Sequence, residues 1–297
     1  MSRERATERH YQTGVVGITL DTPVRRLRRE YAELYARFET PSHFSPAIRV
    51  EVRREPRRWF RRRRFRVLVN GRLQFEPSRT DELLPYVEWA VNWEIARTYP
   101  QYLHLHAAAM ERDGVGLILP AESGSGKSTL AMGLLKRGWR YLCDEFALVH
   151  SQSLLLHPFP RAICLKRGSF PIAEHLNINL SRGDRHHSAK GFVHFVSPFD
   201  VSPRPVGSVC PVRMVVLPKY RAGATPELTS IPRAEAALEL HRVCFNLFGC
   251  KRPGLEVLTR MVAGAECYRL ASGDLDATCA LLKDAAGRSR TRQAATA

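Results

Sequence analysis

The segment from Ala121 to Thr129 has the residue types of a phosphate-binding loop, Ala-Glu-Ser-Gly-Ser-Gly-Lys-Ser-Thr. Gly124 and Gly126 allow the backbone to turn its N–H groups inward around phosphate oxygens. Lys127 would reach the β- and γ-phosphates, and Ser128 would offer its hydroxyl to Mg²⁺. The predicted nucleotide-binding residues are Ala121, Glu122, Ser123, Gly124, Ser125, Gly126, Lys127, Ser128 and Thr129. The predicted cofactors are therefore ATP and Mg²⁺.

Ala121 stands where loops of this kind begin with glycine. That position closes the preceding strand and does not strictly require glycine, so we expect the loop to tolerate alanine. The alternative is a glycine-rich turn without function. A strand before the loop and a helix after it, the context that the motif requires, argue against that alternative.

Two consecutive acids, Asp144 and Glu145, follow the loop, and Asp144 lies 17 residues after Lys127. They come at the end of the strand directly after the loop's helix. Transporter-type ATPases place a long segment and an LSGGQ-like helix before their acid, and neither occurs here. An acid pair in this position would ligate the metal, with Ser128 and Asp144 as the predicted ligands, and orient or deprotonate an attacking hydroxyl.

Further cations follow the acid pair in sequence. Arg161 and Lys166 would clamp phosphates or the acceptor, and Lys190 would meet the γ-phosphate. A solvated surface position is an equal alternative for each of them. We therefore name the three as candidate phosphate or substrate residues.

The flanking patterns predict an α/β fold with α+β elements. Strands alternate with helices, Asn70-Gly71 and Asp113-Gly114 predict hairpin turns, and STLAMGLLKR predicts the loop's helix. AEAALELHRVCFNLF predicts a late helix, and LDATCALLKDAA predicts a last one. We expect a flexible N-terminus at 1–13, an N-terminal region at 14–100, a P-loop domain at 101–284 and a disordered tail at 285–297.

The composition limits the classes of partner and compartment that the sequence predicts. The formal net charge is +17, and nine arginines fall between Arg53 and Arg66 with one acid. This block would bind nucleic acid or an acidic peptide, or form a solvated strand edge or loop, the reading that we favour. No apolar run approaches the ~20 residues of a bilayer span, and no signal peptide is evident. Seven scattered cysteines without a C-x-x-C pair indicate reduced thiols in a cytoplasmic protein.

His106 lies 21 residues before Lys127, and with the loop and the Asp144-Glu145 pair it resembles the core of bacterial HPr kinase/phosphorylase. The stretches EWAVNW, LILPAESGSGKSTL, KRGWRYLCDE and CYRLASGDLD resemble the group called HprK-related kinase A more closely. The resemblance extends from about Gly14 to Leu282. It implies an HPr kinase/PEP carboxykinase-like P-loop core with a small N-terminal α+β region.

The resemblance implies that Asp144, Glu145 and His106 are catalytic, with His106 tuning the carboxylate. A core histidine is the alternative for His106. Where HPr kinases have Asp-Asp this chain has Asp-Glu, so which acid is the base stays open. The E-x-R-G-L-G motif that those enzymes use in handling HPr is absent, so HPr is not the expected substrate.

The expected function is phosphoryl transfer to a hydroxyl, most plausibly on Ser or Thr of a peptide or protein. The resemblance also implies a small PqqD-like carrier as a partner and leaves a homo-oligomer open. We expect neither a membrane nor a nucleic acid as the partner. The alternatives are a nucleotide-gated binding protein without turnover and an Arg-rich ATPase that acts with nucleic acid.

Overall fold

The computed structural model describes residues 8–41, 48–55, 64–120, 125–180, 185–188 and 191–294. The strands in these ranges are β1 (Glu8–Thr13), β2 (Val16–Asp21), β3 (Glu39–Thr40), β4 (Ile48–Arg54), β5 (Phe65–Val69), β6 (Arg72–Phe75), β7 (Tyr102–Leu105), β8 (Ala107–Arg112), β9 (Val115–Pro120), β10 (Arg140–Cys143), β11 (Ala147–His150), β12 (Leu155–His157), β13 (Ile163–Lys166), β14 (His186–Ser188), β15 (Gly191–Val196), β16 (Cys210–Tyr220), β17 (Glu227–Ser230) and β18 (Glu266–Ser272). The helices are α1 (Arg25–Tyr35), α2 (Leu83–Thr98), α3 (Lys127–Lys136), α4 (Phe170–His175), α5 (Pro198–Val201), α6 (Arg233–Arg242), α7 (Gly254–Ala263) and α8 (Leu275–Ala294). The mixture confirms the predicted α/β class. None of the described helices is long and apolar enough to cross a bilayer.

The chain divides into two compact units. The first unit consists of Met1–Tyr99, Cys164–Phe170 and Leu180–Ser197. The second consists of Pro100–Ile163, Pro171–Asn179 and Pro198–Ala297. Two short segments from the middle of the chain therefore fold with the N-terminal part.

The first unit is built on a six-stranded sheet in the order β3-β1-β2-β4-β5-β6, with β2 and β4 parallel. Alternate residues of β4 and β5 are buried, as expected for strands with one face on a core. Helix α2 packs on these two strands. Helix α1 buries Leu27, Tyr31 and Tyr35, and the Tyr35 hydroxyl donates a hydrogen bond to the buried Glu88 carboxylate at 2.9 Å. A three-stranded sheet, β13-β15-β14, completes the unit.

The second unit is built on a nine-stranded sheet whose main path is β10-β8-β9-β16-β12-β11-β7. β16 runs parallel to both β9 and β18, whereas β8 runs antiparallel to β9 and β10. Helix α3 packs on β8 and against α8. α3 and α8 approach so closely at Gly133 that a Cβ atom there would lie 2.8 Å from the Leu275 Cδ1 atom.

Both predicted hairpins are confirmed. Asn70 and Gly71 join β5 to β6 with φ of 49° and 77°, and Asp113 and Gly114 join β8 to β9 with φ of 50° and 82°. Two consecutive positive φ values match the right-handed twist of the flanking strands, and the Asn-Gly and Asp-Gly pairs adopt them at low cost. Gly138 after α3 also takes a left-handed conformation, with φ of 85°.

The predicted flexible N-terminus, 1–13, is wrong for residues 8–13. These residues form β1, which pairs with β2 from Glu8↔Asp21 to Thr13↔Val16. Tyr11 is fully buried on this strand, and its ring centroid lies 5.1 Å from that of Tyr31. A single aromatic anchor in a charged stretch is enough to fix the strand, because it is enclosed by residues that are distant in sequence.

The predicted disordered tail, 285–297, is wrong for residues 285–294, which continue α8. Ala285, Ala286 and Ser289 are almost fully buried at helical spacing. Their side chains are small, so hydropathy gives them little weight although they allow close packing.

Candidate functional site

Histidine, phosphate loop and acid pair belong to one edge of the nine-stranded sheet. β8 begins at Ala107, directly after His106, and lies between β9 and β10. Ala107 pairs with Pro120, the last residue of β9. Ala109 pairs with Cys143, the last residue of β10. Because β8 is antiparallel to both neighbours, the three segments emerge at the same edge, and the ends of β9 and β10 are two strand spacings, roughly 10 Å, apart.

The start of α3 has the backbone of an anion site. Gly126 is its N-cap with φ of 90° and ψ of 7°, a conformation that a side chain disfavours. The first N–H groups of a helix have no acceptor within the helix, and the helix dipole adds partial positive charge there. The Ser125 Oγ atom is buried and has no hydrogen-bond partner among the described residues. A buried hydroxyl beside such amides fits phosphate oxygens.

The predicted nucleotide residues are only partly within the described ranges. Ala121, Glu122, Ser123 and Gly124 lie outside them. Lys127, Ser128 and Thr129 form the first turn of α3, where Lys127 is buried and the other two are half-buried. The residues that are described therefore offer a lysine, hydroxyls and helix amides in one place, which is the donor set that a nucleotide phosphate requires.

The acid pair occupies the turn between β10 and β11. Asp144 is 3% exposed and Glu145 is half-buried. Burial, reinforced by the charges of Asp144 and Glu145, raises the pKa of the neighbouring Cys143 thiol well above its usual value. This thiol therefore stays protonated at neutral pH and is excluded as a nucleophile. Asp144 and Glu145 therefore remain the candidate catalytic residues of this turn.

His106 lies at the break between β7 and β8. β7 pairs with β11, whereas β8 pairs with β9 and β10, so the chain changes partner strands at this residue. His104 on β7 is fully buried, and His106 is half-buried. His106 is therefore the histidine accessible from the sheet edge.

Phe245 is a site residue that the sequence analysis missed. Its ring centroid lies 5.9 Å from that of His106 and 4.7 Å from that of Phe146, on which it stacks at 15°. Phe146 directly follows the acid pair. One aromatic ring thus connects the candidate histidine with the turn that carries the carboxylates.

Phe245 belongs to a segment that was predicted as helix. The predicted helix from 234 to 248 ends early, because α6 stops at Arg242. Beyond it the chain runs along β7: the Phe245 N–H donates to the His104 carbonyl at 3.0 Å. The Asn246 side chain accepts from the His104 N–H at 2.9 Å and donates to the Tyr102 carbonyl at 2.8 Å. These bonds join residues more than 140 positions apart, so no local pattern could have indicated them.

The additional cations fall in different places. Arg161 is 6% exposed in the second unit, and its guanidinium lies 5.6 Å from the Phe159 ring centroid, so the surface interpretation is wrong for this residue. Lys166 ends β13 in the first unit. Lys190 lies outside the described residues.

Histidine, cysteine and carboxylate side chains form no group of three or more suited to a metal ion in the described ranges. Mg²⁺ does not require such a group, because it commonly takes one or two protein oxygens together with phosphates and water. Ser128 and Asp144 are of the oxygen-ligand type that this ion prefers. The residues present therefore fit Mg²⁺ bound together with a nucleotide.

Comparisons with known proteins find relatives for part of the chain. The family model "SynChlorMet cassette protein ScmC" matches residues 81–178, a range that contains His106, the loop and the acid pair. HPr kinase/phosphorylase from Xanthomonas campestris pv. campestris (strain B100) is 38% identical over 76 residues, which cover 26% of this chain and 23% of that protein. The matched region is similar to HPr kinase/phosphorylase. The resemblance found in the sequence is thereby confirmed for this region.

A second HPr kinase/phosphorylase, from Stenotrophomonas maltophilia (strain K279a), is 38% identical over 73 residues, covering 25% of this chain and 22% of that protein. The match to these HPr kinase/phosphorylases spans less than a quarter of their length. Among solved structures, the Hpr(Ser) kinase/phosphatase from Coxiella burnetii matches with 11% identity and a TM-score of 0.30, covering 64% of this chain and 97% of that chain.

Proposed function

We propose that this chain is an ATP- and Mg²⁺-dependent kinase that transfers the γ-phosphoryl group to a hydroxyl, on Ser or Thr of a peptide or protein. The observation that carries the proposal is the strand register, which brings the phosphate loop, the acid pair and His106 to one sheet edge. The similarity of part of this chain to HPr kinase/phosphorylase supports kinase chemistry.

The roles follow from residue type and burial. Bound ATP and Mg²⁺ supply the phosphoryl group and neutralise its charge. The amides at the start of α3 and the Lys127 ammonium bind phosphate oxygens. The Ser128 hydroxyl and the Asp144 carboxylate would hold the cation. The buried position of Asp144 suits a metal ligand, because a cation offsets the cost of burying its charge.

Glu145 is the better candidate for the base. It is half-exposed, and its side chain is one methylene longer, so an incoming hydroxyl can reach it. Its carboxylate would accept the hydroxyl proton as the acceptor oxygen bonds to the γ-phosphorus and the bond from that phosphorus to the β–γ bridging oxygen breaks, with ADP as the leaving group. His106, at the same edge, tunes this carboxylate. A protein or peptide acceptor, presented with a PqqD-like carrier, completes the proposal, and HPr is not the proposed acceptor.

The test compares Asp144→Asn and Glu145→Gln with the wild type, using Asp113→Asn at an exposed hairpin as the matched control. Each protein is incubated with γ-labelled ATP, Mg²⁺, a Ser/Thr peptide library and the products of neighbouring genes, and phosphate is mapped by mass spectrometry. Both site variants should lose about a hundredfold or more in transfer. The Glu145 variant should keep its ATP affinity within about threefold, because it is not assigned to the metal.

Two results would contradict the proposal. Nucleotide binding by the wild type without transfer to any acceptor would favour a binding protein without turnover. ATP hydrolysis stimulated by DNA or RNA, and weakened steeply by salt, would favour a nucleic-acid ATPase.

A further inference from the structure

The first unit contains a cationic groove beside α1. Its volume is about 670 Å³, and five arginines, one glutamate and two alanines form its walls: Arg9, Arg25, Arg26, Arg28, Arg29, Ala32, Glu33 and Ala36. We call this surface the arginine groove. It shares no residue with the candidate site in the second unit.

Part of this charge is compensated within the unit. Arg9 forms an ion pair with Glu39 at 2.6 Å, and Arg26 forms one with the buried Glu30 at 2.7 Å. Arg29 is 3.8 Å from Glu33, and both side chains are more than half exposed, so this pair is weak. Arg25 is exposed and makes no ion pair with any residue that the structure describes. The groove therefore keeps cationic groups that are available to a ligand.

Helix stability does not explain the arrangement. Four of the arginines lie in the first turns of α1, which has no acid in its first turn and no side-chain cap. Cations near the positive end of a helix dipole are unfavourable by about 0.3–1 kcal/mol each. Arg26 and Arg29 each lie close to a glutamate four residues further along α1, which offsets part of this cost. Arg25 forms no such pair among the described residues, and an acidic ligand would offset the remaining repulsion.

We propose that the arginine groove binds an extended acidic peptide segment of a partner protein. Arg25, Arg29, Ala32 and Ala36 recur at helical spacing, so α1 presents guanidinium groups beside a small-residue floor where a peptide backbone can approach. Guanidinium forks bind carboxylates in bidentate geometry. The negative charge of Glu33 is compatible with a peptide whose carboxylates are spaced apart. It would repel a phosphodiester chain, which carries a negative charge on every unit.

A nucleic acid is the less suitable occupant. Single strands are held by aromatic side chains on which bases stack, together with a basic track. Among the residues that the structure describes, arginine, alanine and glutamate line the groove, and no aromatic ring does. Peptide binding here does not depend on phosphoryl transfer, so it can be measured on the full chain without nucleotide.

The experiment measures binding of a fluorescein-labelled peptide of alternating glutamate and serine by anisotropy, at low and at physiological ionic strength. A glutamine–serine peptide and a charge-matched oligothymidylate are the comparison probes. The Arg25→Gln/Arg29→Gln double variant should weaken acidic-peptide binding about tenfold or more. The matched control is Arg252→Gln/Arg260→Gln, which removes two exposed arginines that pair with one glutamate in the second unit. It should change the affinity less than about twofold.

Glu33→Gln provides a gain of affinity that a folding defect cannot mimic. It removes the lining carboxylate, so the acidic peptide should bind about threefold more tightly. Equal losses in the two arginine double variants would show attraction to net charge and would overturn the proposal. Tighter binding of the oligothymidylate, lost in the Arg25/Arg29 variant, would assign the groove to nucleic acid and would overturn it as well.

Discussion

Replacing Gly126 by alanine tests whether the phosphate loop needs the backbone conformation that glycine allows, as distinct from the space that glycine leaves. A Cβ atom at this position would lie 3.7 Å from the Tyr220 Cβ atom, an ordinary contact, so the substitution adds no clash with described atoms. The cost is conformational, because φ is 90° and an L-residue held at positive φ loses about 1–2 kcal/mol. Gly114 is the matched control: its φ is 82°, and nothing lies within 4 Å of a built Cβ.

Gly126→Ala and Gly114→Ala should therefore lose similar stability, about 1–2 kcal/mol, or roughly 2–4 °C in Tm for each kcal/mol. Only Gly126→Ala should lose ATP affinity. If φ of residue 126 relaxes to a negative value, the peptide bond between residues 126 and 127 rotates. The Lys127 N–H would then no longer point at the bound phosphate. We expect at least about a tenfold loss, equivalent to about 1.4 kcal/mol.

Thermal melting by circular dichroism and calorimetric titration with Mg·ATP give the two quantities. Wild-type ATP affinity in Gly126→Ala would refute the assignment of this glycine to phosphate binding. A stability loss in Gly126→Ala several kcal/mol larger than in Gly114→Ala would refute the statement that only backbone conformation is at stake.

Three further substitutions test other parts of the structure. Phe245→Ala should lower phosphoryl transfer about tenfold and shift the NMR resonances of the His106 ring, whose centroid lies 5.9 Å from that of Phe245. Phe248→Ala, at a 99% exposed ring, should do neither. Gly133→Ala should destabilise the protein by about 1–3 kcal/mol, because α8 leaves no room for the added methyl group. Gly287→Ala, at an open position of α8, should instead stabilise the protein by up to about 1 kcal/mol. Urea unfolding measures both changes. Burial, with a smaller effect of the nearby Glu111, raises the pKa of the Cys210 thiol to about 12. As the pH rises the unfolded state therefore loses this proton before the folded state does, and the free energy of unfolding should fall by about 2 kcal/mol between pH 9 and 11. A Cys210→Ala variant whose stability falls with pH just as steeply would contradict this.

Features set by neighbouring residues were predictable from the sequence. Asn70-Gly71 and Asp113-Gly114 dictate their turns because few residue pairs tolerate two positive φ values. The beginning of α3 follows from the glycine before Lys127, and its end from Gly138. The loop and the acid pair could be located in the chain because each is a short motif of consecutive residues.

Features set by distant partners were not predictable. The residues after Arg242 have the apolar content of a helix, but the Asn246 carboxamide binds the β7 backbone and holds the chain against that strand. The aromatic contact of Phe245 with His106 depends on that bond network. Ala285 and Ala286 were predicted to lie in a disordered tail, but both are buried. Such small side chains stabilise a helix contact by allowing close packing, which hydropathy does not measure.

The segment that carries Phe245 also protects the sheet from self-association. β7 ends the main path of the sheet, and the strand-like contact Leu105↔Cys244 covers its open side. At the other end, residues 205–207 cover β10, and Gly207 is required there because a Cβ would lie 2.9 Å from the Arg140 Cβ atom. Unpaired strand edges recruit further strands and lead to aggregation. Two irregular stretches of chain therefore cover the two ends of the main path of the sheet, and one of them also holds an aromatic ring against the candidate histidine.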